Sequence, residues 1–98
     1  MRHVLLIRFK PECSASDIES IFTHFHRLSS EIAGLCAVEC GVNESPEGLD
    51  KGYTHAVLMT FDDAAARDAY LPHPAHEALK AVFVPMIDDI IVIDYVAA

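Results

Sequence analysis

Ile90, Ile91, Val92 and Ile93 stand in a row near the C-terminus. Successive side chains of a strand point to opposite faces, so a strand built on this run is apolar on both and must be covered twice. The two-sidedness recurs at residues 2–10, where His3, Leu5, Ile7 and Phe9 share one face and Val4, Leu6 and Arg8 the other. It recurs again at residues 53–61, with Tyr53, His55, Val57, Met59 and Phe61 on one side and Thr54, Ala56, Leu58 and Thr60 on the other. A chain of 98 residues makes one compact domain, residues 1–98, with no room for a separate catalytic domain. Apolar residues make up 52% of it, above the usual ~45–50%. Its own core cannot hide that much surface, and a second copy of the chain is the simplest cover.

Between the strands the pattern changes period. Pro11 stops the first strand. Ser16 followed by Glu19 reads as a capping box, and Ile18, Ile21, Phe22, Phe25, Leu28 and Ile32 fall within one arc of a helix that Gly34 ends. Residues 35–42 form a second strand with Cys36, Val38, Cys40 and Val42 on one face. Residues 43–52 are a loop whose glycines lack the spacing of a phosphate cradle. After the third strand, Asp62 and Asp63 open a short alanine-rich helix that runs to Leu71. Pro72-His73-Pro74 interrupts it, a further helix starts at Pro74 and ends near Pro85, and residues 89–96 are the last strand. The order βαββααβ predicts an α+β, ferredoxin-like fold with a split second helix, its helices on one face of the sheet and the other face bare.

Charge and composition narrow the function. Seven basic residues against 15 acidic ones leave a net charge of −8, which repels phosphate backbones and anionic membrane surfaces, so neither nucleic acid nor membrane is an expected partner. No stretch approaches the ~20 apolar residues of a membrane span. The N-terminus enters a strand pattern without signal-peptide features, and the expected location is cytoplasmic. Cys13, Cys36 and Cys40 are odd in number and include no CxxC pair. They read as buried free thiols, since Cys36 and Cys40 on one strand lie too far apart for a disulfide. His24 and His26 flank the apolar arc of the first helix and face solvent. Asp62-Asp63 and Asp88-Asp89 fall at element ends, where capping and solubility account for them rather than glycoside or metal chemistry. Neither a nucleophile elbow nor a dinucleotide fingerprint is present, and no cofactor is expected.

Arg2-His3-Val4-Leu5-Leu6-Ile7-Arg8-Phe9-Lys10, Ser45-Pro46-Glu47-Gly48-Leu49, Lys51-Gly52-Tyr53-Thr54-His55 and Tyr70-Leu71-Pro72-His73-Pro74-Ala75-His76 follow one another along the chain, with Asp94-Tyr95 near its end. In this order and spacing they resemble the stress-responsive A/B barrel (Dabb) family. The resemblance implies a dimeric α+β barrel, in which two four-stranded sheets pack through their open faces. It implies no single activity, because the family includes stress-associated plant proteins, many bacterial proteins and a polyketide cyclase.

His73 and His76 stand three apart, but a zinc site wants three or four ligands and no third accompanies them, so no metal is expected. His73 precedes a proline at a helix entrance, where it caps or packs. His76 lies at the margin of the buried arc of residues 75–84, beside Phe83. A half-buried imidazole there stays neutral and available as a base, and Tyr70 supplies a phenolic O–H for an acid/base pair. In the family's polyketide cyclase the catalytic tyrosine and histidine fall on positions matching Tyr70 and His76, and two further pocket histidines match His3 and His55. The resemblance thus implies catalytic roles for Tyr70 and His76, with His3, His55 and His73 lining the pocket. The chain departs from the cyclase in lacking tryptophan and in carrying Cys40 where the cyclase has a bulky aromatic.

Two readings follow. In one, a homodimer takes a small apolar or aromatic ligand and performs acid/base, cyclase- or lyase-like chemistry on a carbonyl or polyketide-like compound. In the other, the protein is a non-catalytic, stress-associated structural or ligand-binding protein. Tyr-x-x-His-Pro-x-His then marks the fold, and its histidines are hydrogen-bonded core groups. A monooxygenase activity, known in other dimeric α+β barrels, has no specific residue in its favour.

Overall fold

The structure of the protein, a computed structural model, describes residues 1–98. In chain order it comprises β1 (Arg2–Phe9), α1 (Ala15–Glu31), β2 (Leu35–Val42), β3 (His55–Phe61), α2 (Ala64–Tyr70), α3 (Pro74–Phe83), a 3₁₀ turn (Val84–Met86) and β4 (Ile87–Tyr95). The strands form one sheet in the order β2-β3-β1-β4, with every neighbouring pair antiparallel. This is the ferredoxin-like α+β fold. The thin dimension of the molecule is 18 Å, enough for one layer of helix on one sheet. The core lies in that single interface. Leu5 and Ile7 of β1 and Val57, Met59 and Phe61 of β3 meet Ile21, Phe25 and Leu28 of α1 and Leu79 and Phe83 of α3. No helix is long and apolar enough to cross a membrane.

Backbone pairing decides which residues face the helices. Ile90 and Val92 lie opposite Ile7 and Leu5 on the covered face, whereas Ile91 and Ile93 lie opposite Leu6 and Val4 on the bare one. Ala56 and Leu58 of β3 flank Leu6 and Val4 on that same bare face.

Three expectations need correction. The capping box belongs to Ser14 and Asp17, not to Ser16 and Glu19: Ser14 Oγ accepts from the Asp17 N–H at 3.0 Å and the Asp17 carboxylate accepts from the Ser14 N–H at 2.9 Å. The helix starts two residues earlier than the periodicity suggests, so Ser16 lies inside the first turn. In β2, a bulge between Leu35 and Ala37 inserts Cys36 as the extra residue. Cys36 therefore leaves the face it was expected to share with Val38 and Cys40, becomes exposed, and donates its thiol to Asp62 Oδ1 at 2.8 Å. The three thiols are free and none is fully buried, although burial still pushes Cys40 up to about 11. Lastly, β4 begins at Ile87, which puts Asp88 and Asp89 inside the strand rather than at its end. There Asp88 accepts from Arg8 Nε at 2.7 Å and Asp89 accepts from the Tyr53 hydroxyl, while the Arg8 guanidinium lies 5.1 Å from the centre of the Tyr53 ring. Asp63, by contrast, caps α2 through the Ala66 N–H at 2.8 Å, as its position suggests.

Gly34 earns its conformational freedom at the α1–β2 turn. Its φ is +84°, and a Cβ there would sit 2.7 Å from the Ala66 Cβ. The turn thus lets α2 settle against the sheet and bring Tyr70 inward.

Candidate functional site

α2 lasts only seven residues, and its last residue, Tyr70, is 1% exposed. Leu71 and Pro72 turn the chain, and His73 caps α3 by accepting from the Ala75 N–H at 3.0 Å through Nδ1. The short break folds α3 back so that His76, in its first turn, meets the tyrosine it follows. The ring centres of Tyr70 and His76 are 4.1 Å apart with planes tilted by 31°. His76 Nδ1 lies 2.9 Å from the Leu71 carbonyl oxygen. A carbonyl only accepts, so this nitrogen carries the proton and Nε2 keeps its lone pair.

On the other side of Tyr70 stands His3, 6% exposed, with its ring edge-on to the phenol at 5.8 Å. His3 Nδ1 donates to Asp94 of the neighbouring strand, and the second Asp94 oxygen accepts from Arg67 at 2.9 Å. Phe61 packs against the same tyrosine at 5.2 Å. The Tyr70 hydroxyl makes no hydrogen bond within the chain, yet no enclosed polar side-chain atom of the protein lacks a partner, so the hydroxyl reaches open space. That space is a cavity of about 230 Å³ between α3, β4 and the covered face of β1, lined by His3, Leu5, Tyr70, His76, Lys80 and Val92 among other, mostly apolar, side chains.

Burial sets the protonation states. It pushes the Tyr70 phenol well above its ordinary value of 10.0, so the group is an O–H donor across the neutral range. Burial also lowers His76 below 6.5; the Leu71 carbonyl opposes this and the Lys80 ammonium adds to it. At neutral pH the pair is therefore a protonated phenol beside an unprotonated imidazole nitrogen.

The expected gathering of four groups is not what the structure shows. His3, Tyr70 and His76 come together; His55 does not. His55 pairs with Ile7, four residues along β1 from His3 and hence about 13 Å away at the strand rise. Phe9 and Phe22 pack on it at 5.1 and 5.8 Å, and it lines a separate, open groove of about 590 Å³ against α1 with His26 and Val42. That groove is the larger, but it holds neither Tyr70 nor His76. His73 serves as a cap and does not line the cavity. His26 is exposed and His24 is half-buried, so only His26 lies fully in solvent as expected. No three His, Cys, Asp or Glu side chains gather as metal ligands. Asp94 and Arg67 carry no signal in the linear pattern that would place them near the histidines, whereas Lys80, four residues after His76 on one helix, could have been found from that spacing. Asp94 reaches His3 only through the β1–β4 register.

The sequence profile described as the stress responsive A/B barrel domain matches residues 1–97. The chain is 36% identical over 95 residues to a stress-response A/B barrel domain-containing protein of Arabidopsis thaliana, covering 97% of this chain and 87% of that protein. It is 26% identical over 95 residues to olivetolic acid cyclase of Cannabis sativa, covering 97% and 94% respectively. Among solved structures it superposes on a dimeric ferredoxin-like protein from Jannaschia sp. CCS1 with a TM-score of 0.86 and 28% identity, over 98% of this chain and 97% of the other.

Proposed function

The chain belongs to the stress-responsive A/B barrel family, and from that premise we propose that it is a homodimer whose cavity performs acid/base chemistry on a small carbonyl compound. The apolar bare face of the sheet, with Val4, Leu6, Leu58, Ile91 and Ile93, supports the dimer, as does the dimeric state of the Jannaschia relative. One observation carries the chemistry: a phenol O–H and an imidazole lone pair, both free of intrachain partners, adjoin at a mostly apolar cavity. Similarity to olivetolic acid cyclase points the same way.

In this reading the substrate carbonyl oxygen accepts a hydrogen bond from Tyr70. His76 Nε2 removes a proton from the carbon beside that carbonyl, and the C–H electron pair becomes the enolate. The Tyr70 O–H then steadies the negative oxygen, and the imidazolium returns its proton to the product. His3, anchored by Asp94, holds the tyrosine ring from its other side. The cavity volume falls below the ~300–1,000 Å³ of drug-sized pockets, which favours a small substrate.

Exchange of α-hydrogens for deuterium across a library of small ketones and β-dicarbonyl compounds tests the proposal. Tyr70→Phe and His76→Ala are each expected to leave the dimer assembled and to cut the exchange rate by ~10²–10⁴-fold. The non-catalytic reading has its own support in the near-complete burial of Tyr70, which makes it a core residue as well. It predicts that no compound exchanges, whether or not one binds, and that His76→Ala leaves exchange unchanged.

A further inference from the structure

We propose that Lys80 makes the cavity selective for substrates that carry a carboxylate, held one helical turn from the carbon that loses its proton. This rests on the acid/base reading of Tyr70 and His76 and names the substrate class for it.

Of the seven Lys and Arg residues in the chain, Lys80 is the one that lines this cavity. It follows His76 by four residues on α3, so the two side chains share a face and stand about 6 Å apart along the helix axis. The walls around them include Leu5, Leu79 and Val92. A lysine in such a place lays its methylene stem on the apolar wall and keeps its ammonium at the mouth, in keeping with a side chain that is 43% exposed.

Its intrachain partner does not take it out of play. Glu77 meets the Lys80 ammonium at 2.9 Å, but both side chains are about half exposed and such pairs are weak. An ammonium has three donors and can hold a second carboxylate without giving up the first. No other Lys or Arg lines the cavity, and the lining His3 is backed by the Asp94 carboxylate, which Arg67 also holds, so that end offers an anion no free cation. An anionic end is thus drawn to the Lys80 side, and the rest of the molecule extends toward Tyr70 and His76. The net charge of −8 opposes any anion at long range, so selectivity for one depends on this local cation. A single ammonium with no arginine beside it suits one carboxylate better than a doubly charged phosphoryl group.

The probes are 5-oxohexanoate and its methyl ester, which differ in charge and share the ketone. Their affinities are read by NMR titration, and turnover by α-hydrogen exchange in deuterium oxide. The wild type is expected to bind the acid about three- to tenfold more tightly than the ester. Lys80→Gln, a change at a half-exposed helical position, brings the acid down to the level of the ester. Glu77→Gln removes the competing carboxylate and raises the affinity for the acid. Equal binding of acid and ester by the wild type, or a preference that survives Lys80→Gln, overturns the role of Lys80 while leaving the catalytic reading to its own test with His76→Ala. Lys80-dependent binding with no His76-dependent exchange overturns the catalytic reading alone. If the wild type binds neither probe, both fall.

Discussion

At the scale of single residues, the surroundings of His76 assign different roles to its two ring nitrogens. The Leu71 carbonyl holds Nδ1–H, and burial keeps Nε2 unprotonated. Both His76 and His55 are lowered from 6.5 by burial, which has a consequence for stability with a definite sign. Below that value the unfolded chain takes up protons that the folded chain declines. Stability is therefore fully present above pH 6.5, falls as the pH drops through it toward the folded-state values, and levels off beneath them. The melting temperature is expected to decline between pH 7.5 and 5.5, and His76→Gln should flatten that slope; a slope unchanged by the substitution would leave the buried neutral imidazole without support. Catalysis follows the same sign. The acidic limb of the exchange rate against pH should lie below 6.5, since protonation of a lowered imidazole is what removes the base.

At the scale of elements, the start of α1 separates a local pattern from the structure it serves. Ser14 and Asp17 bond reciprocally, whereas Ser16 is an ordinary first-turn residue. Ser14→Ala should cost about 1 kcal/mol in chemical denaturation, whereas Ser16→Ala should be neutral or stabilise by a few tenths. Equal costs would contradict the assignment. Apolar periodicity made the helix plain but not its first residue, because two serines two positions apart each have an acidic residue three positions on. The short α2 and the cap at His73 matter more for function. They place Tyr70 and His76, six residues apart in sequence, ring against ring.

At the scale of the whole molecule, one helix layer covers one face of the sheet and leaves Val4, Leu6, Leu58, Ile91 and Ile93 on the other. The bare face is rimmed at one end by Arg8, Asp88, Asp89 and Tyr53, whose mutual bonds satisfy the charges before any partner arrives. Light scattering after size exclusion is expected to return twice the mass of one chain at micromolar concentration. Ile91→Asp should dissociate or unfold that dimer, since a carboxylate buried without a partner costs several kcal/mol. Val92→Asp should leave it assembled and instead disturb the cavity that Val92 lines. The reverse outcome would mean that the opposite face of β4 meets the partner.

Alternation at period two and arcs at period 3.6 are local properties, and from them the order βαββααβ could be read directly. So could the need to cover Ile90–Ile93 twice, because a run of four apolar residues is two-sided in any register. The family motifs pointed to Tyr70, His76, His3, His55 and His73; the first three line one cavity, while His55 and His73 do not. What the linear pattern could not carry was register. A shift of one residue exchanges every side chain between faces, so whether Ile91 or Val92 turned outward waited on the hydrogen bonds between β1 and β4. The bulge at Cys36 is a shift of that kind and removed a cysteine from the face its spacing assigned. Register also set His55 four residues along the sheet from His3, in another groove, and brought Asp94 to His3 from 91 positions away. Pairing between strands is a long-range choice made by the whole sheet, and the tertiary structure alone decides which polar groups share a cavity.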